Sequence, residues 1–204
     1  MERDWAGARF AFAEAAGWFA ATATQVGDRW DAPGLGEWDV RALVGHTSRA
    51  LLTVEAYLEQ PALDVEVPTA TDYYRATRAI AAGPDVAERG RAAGAALGDD
   101  PAAAVAEIVD RVPPSLASRT GDELLTTVAG GMRLRDYLPT RTFELVVHTL
   151  DLAAALGEDA EPPALGAAEA VSVLADLAVA DGHVGTLLRA ATGRTALPHG
   201  FSVL

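Results

Sequence analysis

Glu144 and His148 stand four residues apart in the stretch Arg-Thr-Phe-Glu-Leu-Val-Val-His-Thr-Leu-Asp-Leu, residues 141–152. At about 100° per residue they share one stripe of a helix with Arg141 and Asp151. Nearly everything else past Thr142 is apolar: Phe143, Leu145, Val146, Val147, Leu150, Leu152 and a run of alanines. A surface helix has a narrow apolar stripe and a broad polar face; here the proportions are reversed. Lone buried charges are costly, so these polar residues must face one another or a cavity. A Glu and a His at i, i+4 can bind one metal ion, since carboxylate oxygen and imidazole nitrogen are both zinc donors. The same spacing also suits an ordinary intrahelical Glu–His pair, and spacing alone leaves both readings open.

Catalytic zinc sites use three protein ligands and keep one position open. The third donor must come from another helix, and His46, at the edge of an apolar helix face, is the natural choice. Asp151 would then orient an imidazole or serve as a fourth ligand. Arg141 could pair with Glu144 or Asp151, or bind a carboxylate substrate. Arg194, just after Gly193, could reach the same cavity from the tail. His183 and His199, each beside a glycine, read as exposed loop histidines. Ser48 lies two residues from His46 and points about 200° away from it on a helix. With no Gly-x-Ser-x-Gly elbow, a nucleophilic triad is rejected. No phosphate-binding glycine motif is present either.

The elements that must position these groups are mostly helices. A central helix spans 134–156 and ends at Gly157; a second, N-capped by Asp39, runs to about Glu59 with Pro61 beyond it. Others are expected over 4–26, from about Thr71, from Pro84 to Leu97, from Pro101 to about Val112 before Pro113 and Pro114, over 164–180, and to about Thr192. Glu123–Ala129 is the best strand candidate, with Gly130 and Gly131 as a turn into the central helix. The tail from Gly193 suits a short turn or hairpin. The whole reads as a mainly all-α four-helix bundle with extra helices. Its division is a bundle over 1–157 and a short C-terminal helical region, 158–204, packed on it. Bundles build metal sites from facing helices.

The chain has 204 residues, enough to bury roughly 70% of its unfolded surface without disulfides. It contains no Cys, which fits a reducing cytoplasm and means that any thiol chemistry must use a thiol from outside. A net charge of −13 argues against a nucleic-acid or anionic-membrane partner. No apolar run reaches the length of a membrane span, and Asp4 and Glu14 interrupt any signal-like start. All 16 basic residues are Arg, a bias that points to GC-rich coding.

Two segments resemble a known family. Glu37-Trp38-Asp39-Val40-Arg41-Ala42-Leu43-Val44-Gly45-His46 is similar to the Trp-x-Val-x-x-Leu-x-x-His motif of the mycothiol-dependent maleylpyruvate isomerase family. Residues 141–152 are similar to its Arg-x-x-Glu-x-x-x-His-x-x-Asp-Leu motif, and the ending from Thr192-Gly193-Arg194 to Phe201 resembles its C-terminal region. The resemblance implies a DinB-like bundle with a divalent metal, most often zinc, on His46, Glu144 and His148. It further implies a metal-dependent S-transferase or isomerase that uses mycothiol, a small bacterial thiol, on a small electrophilic substrate. Asp151 and Arg141 would serve the chemistry, and Arg194 the cosubstrate. The alternatives are a hydrolase that uses metal-bound water and a non-enzymatic metal-binding or sensing bundle. A cytoplasmic monomer or homodimer is expected.

Overall fold

Three aspartates begin three helices by the same local chemistry, and the computed structural model, which describes residues 4–81, 83 and 85–204, shows each of them. Asp4 accepts from the Ala6 amide at 3.3 Å and opens α1, Trp5–Thr24. Asp39 accepts from Ala42 at 2.7 Å and opens α2, Val40–Leu58. Asp100 accepts from Ala103 at 3.0 Å and opens the helix Pro101–Ser115. Each bond satisfies an amide that the first helical turn leaves without a partner. Between them lie α3, Ala70–Ala81, and α4, Asp85–Ala96, so that Pro101–Ser115 is α5. Pro84, the expected start of α4, lies outside the described residues.

The central helix, α6, spans Leu134–Leu156 and stops at Gly157, whose φ of 77° is the left-handed conformation that glycine adopts without strain. Then come α7, Ala164–Ala180, and α8, Val184–Ala191. Helices α1, α6, α2 and α5 pack in a ring, each touching the next, and form the four-helix bundle. Phe12, Phe19, Leu43, Leu51, Tyr137, Leu138, Leu145 and Leu152 fill its core. Complete burial of each stabilises by roughly 1.5–3 kcal/mol before entropy is counted. Helix α7 lies across α1 and α6, and α3 bridges α6 and α7. No helix among the described residues is long and apolar enough to cross a membrane.

Helix α4 lies against α2 more closely than side chains normally allow. A Cβ on Gly45 would overlap the Gly94 backbone, and one on Gly94 would fall 2.7 Å from the Arg41 carbonyl oxygen. This glycine-to-glycine crossing falls one residue before His46 on α2.

Two local readings need correction. Pro113 and Pro114 do not stop α5 but occupy its last turn, which runs on into a 3-10 turn, Leu116–Ser118. Proline φ is already helical, and the α-helix ends at Ser115, directly after the two positions that lack an amide donor. Gly130 and Gly131 are not the turn; they begin strand β2, Gly130–Arg133, antiparallel to β1, Leu124–Thr127. Val128 and Ala129 make the turn between the strands. Gly131 is needed because the linker after α2 runs over it: a Cβ there would overlap the Asp64 carbonyl. Its own carbonyl accepts from the amides of Glu66 and Val67 at 2.8 and 3.0 Å. The tail after Gly193 forms no strand.

Candidate metal centre

His46 reaches the site from α2, and Glu144 and His148 reach it from α6. One donor atom from each lies within 4.8 Å of the other two. His148 Nε2 is 3.2 Å from Glu144 Oε2, close to the ~3.4 Å between neighbouring ligands on a tetrahedral ion with bonds near 2.1 Å. The His46 and His148 rings meet edge to face with centroids 4.9 Å apart. Two imidazoles and one carboxylate are a donor set used by catalytic zinc sites. The residues present therefore fit the ion that the donor chemistry suggests.

The carboxylates and hydroxyls around this trio fix it from behind. Asp151 Oδ2 bonds His148 Nδ1 at 3.0 Å, on the opposite edge of the ring from Glu144. The other Glu144 oxygen, Oε1, accepts from the Tyr74 hydroxyl at 2.9 Å, and the Thr140 carbonyl shares the same hydroxyl proton at 3.0 Å. Burial, and then the nearby Glu144 charge, push the Tyr74 hydroxyl well above its ordinary range, so it remains a donor.

The two histidines differ electrically. Burial, with the neighbouring His148, Arg49 and Arg141 charges, takes His46 down to about 4 despite the opposing pull of Glu144. It is a neutral imidazole whose buried Nδ1 has no hydrogen-bond partner. For His148 burial opposes the charge, but its bonds to Asp151 and Glu144 outweigh that and raise it to about 9. Glu144 is also penalised by burial, yet the His148 bond, the Arg141 charge and the Tyr74 bond bring it down to about 2.

The trio opens on a cavity of about 700 Å³, within the range of small-molecule sites. Trp38 forms one wall: its ring lies 4.5 Å from the His46 ring, and its Nε1 donates to the Ala87 carbonyl at 3.0 Å. Gly90 makes room for that indole, since a Cβ there would overlap it. Tyr57, Tyr73 and Tyr74 also line the space.

Arg141 lines the cavity but pairs with neither Glu144 nor Asp151. Its Nε donates to Thr140 Oγ1 at 2.9 Å, and its guanidinium sits 5.2 Å from the Tyr73 ring centroid and 4.9 Å from that of Tyr137. Arg194 is exposed, bonds the Thr192 carbonyl at 3.4 Å and is not among the residues that line this cavity. His199 is exposed as expected, whereas His183 packs its ring on Phe201 at 5.5 Å. Tyr74, Trp38 and Arg49 were not singled out for the site from the sequence. Only the tyrosine pair at 73–74, one turn before Thr77 on an otherwise polar helix, could have marked α3 as a wall.

No curated protein and no solved structure matches the chain. A family model, the mycothiol maleylpyruvate isomerase N-terminal domain, matches residues 7–153. That span carries His46, Glu144, His148 and Asp151 and ends three residues before α6 does. With most of its length matched by this model, the chain belongs to the mycothiol maleylpyruvate isomerase N-terminal domain family.

Proposed function

We propose that the chain is a metal-dependent thiol S-transferase or isomerase, with a divalent metal, zinc in the first instance, held by His46, Glu144 and His148. The observation that carries this reading is the one-sided placement of the ligands. Three donors converge among the residues that line the cavity, while Asp151, which does not line it, bonds the nitrogen of the His148 ring that lies away from Glu144. Closed structural zinc sites use four protein ligands and catalytic ones leave a position free, so this placement favours an enzyme over a sensing or structural bundle. When bound, the metal would supply Lewis acidity that favours the thiolate form of an incoming thiol, the nucleophilic form.

The chain's own residues do the rest. His46 is kept neutral by its dry wall and so presents a lone pair without first losing a proton. Tyr74 and Asp151 hold Glu144 and His148 in orientation. Because the chain has no Cys, the thiol must enter from solution. The family makes mycothiol the first candidate, and the cavity has room beside it for a small electrophile. Arg141 faces that space, and the remaining volume is walled by tyrosines.

The test is conjugation of a fluorogenic alkyl halide by the zinc-loaded protein with and without mycothiol. Thiol-dependent turnover that disappears in His148→Ala is the expected result. Hydrolysis of ester or amide conjugates without any thiol would replace this reading with a hydrolase that uses water at the same position.

A further inference from the structure

The tail does reach the cavity, but through Leu204 and not through Arg194. The lining residues sort by exposure. Those such as Trp38 and Tyr74 are buried and form its depth, whereas Leu35, Arg78, Ile80, Val128 and Leu204 are exposed and so form its mouth. Apart from Arg78 that rim is apolar. Four of the five are fixed by local structure: Arg78 and Ile80 stand on α3, Val128 on the turn between β1 and β2, and Leu35 in a loop that the Trp38 amide closes on the Leu35 carbonyl at 2.9 Å. Leu204 has no such support.

The chain that carries Leu204 is docked at its far end and loose before it. Between Ala178 and Val203 no residue is buried, and residues 191–200 are all exposed. From Ala196 to Gly200 no backbone hydrogen bond ties the chain to another element among the described residues. Gly193 and Gly200, near the two ends of this stretch, have φ of 71° and 69°, a conformation that glycine enters and leaves without a Cβ penalty. After Gly200 the chain docks again. Phe201 meets the His183 ring just before α8, Val203 is only 7% exposed, and the Val203 carbonyl accepts from Arg78 at 3.4 Å.

The docking is light. Arg78 also bonds Asp181, at the end of α7, and Asp181 lies 3.5 Å from Arg75 as well. Both arginine side chains are about half exposed, and ion pairs of that exposure contribute little to stability. One buried valine, one ring contact and one long hydrogen bond therefore hold the end of the tail. Segments with few buried apolar contacts open locally well before the molecule unfolds, and hinges are a few loop residues that absorb the change. Leu204 thus lines the mouth of the cavity on a segment that can swing away from it.

We propose that residues 201–204 are a strap along the mouth of the cavity, anchored by Val203 and held by Arg78, that limits by size what passes inward. With the strap docked, Leu204 narrows the apolar rim and small molecules pass it. A bulky one passes only when Val203 leaves its socket and the tail swings about Gly200. The inference needs the cavity but neither a metal nor a thiol in it, so it stands or falls apart from the proposed function.

The chain contains no Cys, so Thr53→Cys, on the cavity wall two turns past His46 on α2, gives metal-free protein a single reporter thiol. Its alkylation rate is measured with the small reagent N-ethylmaleimide and with the bulky pyrenyl maleimide, before and after deletion of residues 201–204. A minor open form, populated at about 10% or less, slows the bulky reagent by that fraction. Deletion should therefore speed pyrenyl maleimide by about tenfold or more and change N-ethylmaleimide by less than about twofold. If the deleted chain does not keep its helical circular dichroism, Val203→Asp decides in its place, since it forces a charge into the apolar socket of the strap. An unchanged pyrenyl maleimide rate overturns the strap. Equal acceleration of both reagents overturns it too, because that reports a loosened bundle and not a widened mouth.

Discussion

His46 comes from the α2 wall and His148 from the α6 wall, and the two surroundings push the same side chain in opposite directions. The α2 wall is dry. Trp38 packs on His46, Gly90 of α4 makes room for that indole, and the His46 Nδ1 is left without a partner. The α6 wall is a hydrogen-bonded chain in which Asp151, His148, Glu144 and Tyr74 each hold the next. One wall keeps an imidazole neutral by excluding water; the other keeps an imidazolium between two carboxylates. A divalent metal needs both rings neutral. In the proposed site the α6 proton on His148 therefore occupies the electrostatic role that the metal's charge would take, while α2 needs no such stand-in.

Removing a ligand from either wall erases the difference between them. His46→Ala and His148→Ala should each weaken zinc binding by more than about 100-fold, beyond the 10–100-fold typical of groups that merely orient ligands. Competition against a chelating dye measures this, and retention of near-wild-type affinity in either variant would remove that histidine from the ligand set.

Breaking the dry wall alone should act first on folding. Trp38 is 9% exposed, and Trp38→Ala should cost about 3–5 kcal/mol of stability in urea unfolding. It should also return His46 upward toward its ordinary titration range, which NMR would follow. An unchanged His46 titration would show that the indole is not what keeps it neutral.

Breaking the hydrogen-bonded wall alone should leave the fold nearly intact. Asp151→Asn, which alters the group behind His148 but not the ligands, should weaken zinc about 10–100-fold, and Tyr74→Phe should act in the same direction through Glu144. No loss in either variant would mean that the chain of bonds orients nothing.

The wild-type protein should show a pH dependence of opposite sign in the two forms. His148 sits at about 9 against an ordinary 6.5. Its contribution to metal-free stability is thus fully present below pH 6.5 and fades as pH rises toward 9. Zinc must displace that proton, so its apparent affinity should rise over the same interval, by up to about tenfold per pH unit. Parallel trends in both forms would mean that the proton and the metal do not compete for His148.

The α6 wall was the more legible of the two in the sequence. The inverted polarity of 134–156, the stripe 141/144/148/151 and the stop at Gly157 are all local to one helix, and local periodicity is what a sequence displays. His46 could be named because an apolar helix face runs up to it. The dry wall was not legible in the same way. That Gly45 and Gly94 let two backbones touch, and that Ala87 and Gly90 seat the Trp38 indole beside His46, are facts of pairing between segments about 50 residues apart. The same limit explains Gly130 and Gly131. They look like turn residues, yet what requires glycine at 131 is the linker that crosses it. The spacing left Arg141 open to a pairing with Glu144 or Asp151 or to a carboxylate substrate, and it did not show that Tyr73 of α3 and Tyr137, one turn earlier on α6, lie against its guanidinium.

X-ray absorption at the zinc edge, recorded on zinc-loaded protein with and without mycothiol, tests the central proposal most directly. The chain has no Cys, so any short zinc–sulfur contact must come from the added thiol. The account predicts nitrogen and oxygen ligands alone in the first spectrum and a sulfur neighbour at about 2.3 Å in the second. A protein that retains no zinc, or a zinc whose ligands do not change when mycothiol saturates the sample, would contradict it.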